Sequence, residues 1–206
     1  MNFKFPSRNA LGSNERHSIY QVVKYYKKKK IDPGYEGNFE KKLCDRFSKM
    51  MGGGYADACS SGTAAAFIAI SALNLKKSSE VLISPVTDSG PLNALIILGL
   101  KPRLIDSMPN SYNIDVNEFF KRVTKKTKAI IIMHIGGETS QINKICIEAK
   151  KRNIKIIEDC SQAPFAKCFN CKTQCTPCKK NFVGYFGDVS FFSTMFSKTI
   201  SSCGSA

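Results

Sequence analysis

No stretch of 18 or more consecutive apolar residues occurs in the sequence, so no transmembrane helix is expected. The N-terminus, MNFKFPSRNALGSNERHS, lacks the apolar centre of a secretory signal, and a cytoplasmic location is the expectation. Acidic residues are scarce: 16 Asp and Glu stand against 31 Lys and Arg, leaving a net charge of +15. Such a balance attracts anionic partners such as phosphates or nucleic acid. Lysines spread as in KYYKKKKID read instead as solvated helix faces, and no stripe of arginine interleaved with aromatics marks a nucleic-acid surface. Nucleic acid and membrane are therefore not among the expected partners. No internal repeat is evident. In a reducing compartment the nine cysteines read as metal ligands, catalytic thiols or buried small hydrophobes before they read as disulfides.

What is present describes one folded unit. A chain of 206 residues with 43% hydrophobic and 23% charged residues can bury a sizeable single core. Residues 14–30 read as a helix, and GNFEKKLCDRFSKMMGG is an amphipathic helix with Phe39, Leu43, Phe47 and Met50/Met51 on one face before a glycine stop. YADAC then reads as a short strand, followed by a small-residue turn and an alanine-rich helix beginning at Gly62 or Thr63. Further on, β-prone runs at 80–85, 101–106, 128–134, 154–160 and 188–194 alternate with helical PLNALIILGL, NEFFKRVTK and INKICIEAKKRN. The runs AIII and IKII are apolar without alternation, as strands covered on both faces of a mainly parallel sheet must be. The fold class is α/β, doubly wound, with helices on both faces of the sheet.

In such a sheet ligands collect at the carboxyl ends of the strands. Three polar groups fall there. Ser61-Gly62-Thr63 opens a helix, where free N–H groups and a hydroxyl make a phosphate cradle or, more plainly, a helix cap. Asp159 ends the apolar strand IKII, where a desolvated carboxylate needs a cation or donors; it caps the next turn or holds a protonated ring nitrogen. Ser193 and Lys198 follow the strand DVSFF, and a lysine in a partly dry pocket yields a neutral amine able to condense with an aldehyde. An aldehyde cofactor with a phosphate and a pyridine nitrogen uses all three groups, and pyridoxal phosphate (PLP) fits that description.

The order SGT, then EDxxQA, then FGD with FFS and a lysine five residues after the serine, resembles the DegT/DnrJ/EryC1/StrS family of PLP-dependent sugar-nucleotide aminotransferases. The likeness runs from FEKKLCDRF and SSGTAAA through EVLISP, GLKPRLIDS, YNID, TKAIIIMHIGG, KIIEDCSQA and GYFGDVSFFS to Lys198. It implies a fold type I large domain spanning residues 1–206, with an N-terminal helical segment at 1–50. Lys198 would be the Schiff-base lysine and proton carrier, and Asp159 would pair with the pyridinium nitrogen. Gln162 would approach the phenolic oxygen, while Gly62, Thr63 and Ser193 would hold the phosphate. The implied reaction moves an amino group, usually from glutamate, to a nucleotide-linked keto sugar in surface-polysaccharide or secondary-metabolite sugar biosynthesis, within a homodimer. Members that act as sugar dehydratases replace the lysine by histidine, and Lys198 argues against that chemistry.

The sequence departs from the pattern in three places. Asp88, in SPVTDSGPLNA, stands where many members place a ring-stacking aromatic. A cysteine-rich loop at 168–178 looks like an insertion of about ten residues, which loops tolerate. Its Cys168, Cys171, Cys175 and Cys178, spaced C-x2-C-x3-C-x2-C, suit zinc, an iron–sulfur cluster or free thiols. Members also continue past the lysine with another sheet strand and a small C-terminal domain, so the chain is expected to be a large-domain portion whose sheet is incomplete, with YADAC lacking its neighbour. Two other readings follow: an inactive truncated remnant, or a metal-binding interaction module on the same fold. His134, at the end of KAIIIMH, either touches the ligand or is a hydrogen-bonded structural histidine. Cys160 reads as core.

Overall fold

The computed structural model describes residues 12–34, 36–168, 182–195 and 198–202. Five strands form one parallel sheet: β1 (Glu80–Ile83), β2 (Lys101–Leu104), β3 (Thr127–Met133), β4 (Lys155–Asp159) and β5 (Val189–Phe191), in the order β2-β1-β3-β4-β5. Four lie within the runs that the hydrophobic pattern marks, and β3 begins one residue before its run. Six α-helices accompany them among the described residues: α1 (Ser13–Lys29), α2 (Asn38–Met51), α3 (Gly62–Ala72), α4 (Ser89–Ile97), α5 (Val116–Arg122) and α6 (Ile142–Lys151).

The lack of alternation in the central strands has its physical reason in two cores. Val81, Ile83, Ala129, Ile131, Ile157 and Phe191 pack on one face against Ala66, Ala69 and Ile70 of α3 and Ala94 and Leu95 of α4. Their neighbours Leu82, Ile130, Ile132 and Ile156 pack on the other face against Val116 and Phe119 of α5 and Ile142, Ile145 and Ala149 of α6. Successive strand residues point to opposite faces, so a strand buried on both sides must be apolar throughout. At the end of β4 the same alternation sends Glu158 towards the α5/α6 face and Asp159 towards the α3/α4 face.

Helix ends are set by identifiable caps. Ser61 Oγ accepts the Ala64 N–H at 3.1 Å and starts α3 at Gly62. Asp88 caps α4 through the Gly90 N–H at 2.9 Å, and Asp115 caps α5 through the Asn117 N–H at 2.8 Å. Helix α2 docks through Phe47, whose ring meets Phe192 edge-on with centroids 4.8 Å apart; α1 in turn meets α2 through Tyr25 and Tyr26 against Phe39.

One expected strand does not form. Residues 55–59, YADAC, belong to no ladder, because no described strand lies beside them to accept their backbone hydrogen bonds.

Candidate active site

The carboxyl ends of β3, β4 and β5 and the N-terminus of α3 converge at one edge of the sheet, and topology explains why. Each helix returns antiparallel to the strands, so its N-terminus comes back to the edge where the strands finish. Residue Asp159 sits between Met133 of β3 and Phe191 of β5 in the sheet register. Two residues beyond Phe191, Ser193 meets the start of α3. A Cβ added at Gly62 would lie 3.0 Å from Ser193 Cβ and 3.1 Å from its Oγ. Glycine thus leaves the serine hydroxyl room to stand beside the first turn of the helix, where an alanine would press on it. Gly62 and Thr63 N–H have no acceptor among the described residues, which leaves two donors, the helix dipole and a hydroxyl around one point, the arrangement that binds anions.

Asp159 is 1% exposed. It accepts the Ser161 N–H at 3.0 Å, yet burial pushes its carboxyl pKa above the ordinary value; Ser161, His134 and Lys198 oppose that shift without cancelling it. The carboxylate is short of positive charge. Lys198 is half-buried and near enough to act on Asp159 electrostatically, but forms no ion pair with it within hydrogen-bonding reach. Gln162 lies at the rim, where its Oε1 accepts the Gly136 N–H at 2.8 Å. That bond fixes the amide, turning its Nε2 donor away from Gly136. The glycine has φ of 63°, a left-handed conformation that glycine adopts without the steric cost other residues carry.

Of the residues singled out from the sequence, Gly62 and Ser193 lie side by side with little room for a side chain between them, and Asp159, Gln162, Thr63 and Lys198 are at the same edge. Asp88 is occupied as the cap of α4. Thr63 Oγ1 would lie 2.9 Å from a Cβ at Gly90, which shows how closely the starts of α3 and α4 approach. In the loop between β1 and α4, Thr87 Oγ1 is buried without a hydrogen-bond partner; nothing in the sequence pattern singles it out. His134 resolves as structural. Its Nδ1 accepts the Ser140 N–H at 3.1 Å, so Nε2 carries the proton and donates to Glu158 Oε2 at 3.2 Å. Cys160 is fully buried, and burial raises its thiol pKa well above the ordinary value.

Sequence reasoning missed Glu158, although the pattern carried a signal: a carboxylate on the covered face of a strand needs donors as much as Asp159 does. Together His134, Glu158 and Cys160 place three ligand types within 4.8 Å, but both histidine nitrogens and the carboxylate oxygens are already engaged. Of the cysteine-rich loop, Cys171, Cys175 and Cys178 lie outside the described residues, and Cys168 is disulfide-bonded. A cavity of about 600 Å³ lined by Met108, Phe120, Gln141 and Lys144 opens on the α5/α6 side, across the sheet from Asp159, and contains none of these site residues.

The DegT/DnrJ/EryC1/StrS aminotransferase family matches residues 15–206. GDP-perosamine synthase of Escherichia coli O157:H7 is 33% identical over 165 residues, covering 80% of this chain and 43% of that protein. Protein MosB of Rhizobium meliloti is 35% identical over 156 residues, covering 76% of this chain and 29% of that one. The chain therefore spans less than half the length of these curated relatives. Among solved structures, E coli GDP-4-keto-6-deoxy-D-mannose-3-dehydratase with bound hydrated PLP superposes with a TM-score of 0.78 at 26% identity, covering 94% of this chain and 47% of that one. The chain belongs to the DegT/DnrJ/EryC1/StrS aminotransferase family, and its sheet and flanking helices are those of a fold type I large domain.

Proposed function

We propose that the chain carries the cofactor-binding part of a PLP-dependent aminotransferase acting on a nucleotide-linked keto sugar, with glutamate as the amino donor and a homodimer as the working assembly. The observation that carries this reading is Asp159: a buried carboxylate short of positive charge, at the same edge as an anion cradle and a half-buried lysine. The residues present fit PLP. Gly62 N–H, Thr63 N–H and the Ser193 hydroxyl would hold its phosphate. Asp159 would accept a hydrogen bond from the protonated pyridine nitrogen and so gain the positive partner it lacks. Gln162 Nε2, oriented by Gly136, would donate to the phenolic oxygen.

When bound, the cofactor supplies an electron sink for the carbon that loses or gains the amino group. Lys198 would hold the aldehyde covalently at rest and, once freed by the incoming amine, move a proton to and from the substrate carbon. A lysine at this position supports amine transfer over sugar dehydration. The sugar-nucleotide substrate class is supported by relatives such as GDP-perosamine synthase.

To test the reading, the full-length protein is incubated with PLP, glutamate and a panel of nucleotide-linked keto sugars, with formation of 2-oxoglutarate followed. Sugar-dependent release of 2-oxoglutarate supports it. Failure with every keto sugar and every amino acid donor would contradict it. A second reading concerns the cysteine-rich loop as a zinc or iron–sulfur site serving a partner; metal analysis of the purified protein decides that question separately.

A further inference from the structure

Glu158 is fully buried and outside the ligand-facing set. Its Oε1 accepts the N–H groups of Phe186 at 2.6 Å and Gly187 at 2.7 Å. Its Oε2 accepts the Gly184 N–H at 2.7 Å and His134 Nε2–H at 3.2 Å. One side chain thus gathers the turn at 184–187 and the end of β3 onto the end of β4. The turn can close this tightly only with glycine. At Gly184, φ is 93° and an added Cβ would lie 2.6 Å from Phe192 Cζ; at Gly187 it would lie 2.7 Å from Ile156 O. From that turn the chain enters β5 directly, where Asp188 Oδ2 accepts the Ile156 N–H at 2.8 Å. Ser193 and Lys198 lie just beyond. His134 works on the other side, its own N–H donating to Asp159 O at 3.2 Å.

We propose that Glu158 is a positioning residue for the cofactor site. By clamping three backbone N–H groups and His134 from the face opposite the ligand, it sets where β5 delivers Ser193 and Lys198 relative to Gly62 and Asp159. The inference rests on the PLP reading. Buried donors tolerate no loss of their acceptor, so altering the clamp moves the turn, and with it the Ser193 hydroxyl that stands beside Gly62 at the start of α3.

The test measures the dissociation constant for PLP and the induced visible circular dichroism per bound cofactor in full-length protein. Glu158→Gln, which turns one acceptor into a donor facing N–H groups, is expected to weaken binding by about tenfold or more and reduce the induced signal. His134→Gln, whose amide can accept from Ser140 and donate to Glu158, should stay within about threefold of wild type. A role confined to stability would lower the unfolding temperature and leave both readouts at wild-type values, and that result overturns the proposal. Should Glu158→Gln fail to fold, wild-type hydrogen exchange decides by linkage: PLP must protect the amides of 184–187 more than those of β2 at the far edge, and equal protection refutes the clamp. Absence of any wild-type PLP binding would instead refute the function, and this inference with it.

Discussion

Replacing Asp159 by asparagine should separate stability from function in opposite directions. The side chain is 1% exposed, and burial raises its carboxyl pKa above the ordinary value of 3.8 because the Ser161 hydrogen bonds and its other polar neighbours do not compensate. A raised carboxyl pKa means that the ionised form costs the fold. The cost is fully present above the folded-state pKa and fades as pH falls through it towards the unfolded value. Asparagine keeps an oxygen for the Ser161 N–H and removes the charge. We therefore expect cofactor-free Asp159→Asn to be more stable at pH 7 by about 1 kcal/mol, or about 2–4 °C in melting temperature for a domain of this size. Its advantage should shrink as pH is lowered towards 4. Cofactor binding should move the other way. A charge-assisted hydrogen bond to the ring nitrogen contributes about 1.5–3 kcal/mol, so the variant should bind PLP about 10–100-fold more weakly. Thermal melts at several pH values and equilibrium PLP titration supply both numbers. A variant that binds PLP as tightly as wild type, or whose stability difference does not change with pH, would refute the reasoning.

Gly62→Ala should leave stability nearly unchanged, since the gain of about 1 kcal/mol in helix propensity is offset by a contact of 3.0 Å with Ser193; affinity for the phosphate of PLP should fall about tenfold, measured by titration with PLP against pyridoxal. Gly184→Ala combines a φ of 93° with a Cβ 2.6 Å from Phe192 and should cost about 2–4 kcal/mol in urea denaturation. Cys160, fully buried with a raised thiol pKa, should resist iodoacetamide in the native protein and react on unfolding; rapid native labelling would contradict its placement.

The sheet was legible because the covering of both faces leaves a direct trace, the unbroken apolar runs of β3 and β4. Caps were legible at Ser61, whose hydroxyl sits one residue before an alanine-rich run. The segment at 55–59 was not, because a short apolar-polar stretch becomes a strand only when a neighbour accepts its hydrogen bonds, a tertiary condition that propensity does not encode. Asp159, Ser193 and Lys198 stood out as polar residues after buried strands. Glu158 did not, since adjacent carboxylates look alike in sequence and only the two-residue alternation, anchored by the helices on each face, separates the ligand-facing one from the clamp. The orientation of Gln162 depends on a glycine 26 residues away and leaves no local signature.

The central claim is that this edge of the sheet holds PLP through Lys198. Full-length protein is mixed with PLP, reduced with borohydride, digested and mapped by mass spectrometry. The account predicts a stable phosphopyridoxyl group on Lys198, lost in Lys198→Arg. Labelling distributed over surface lysines, or a Lys198 that stays unmodified at saturating cofactor, would contradict it.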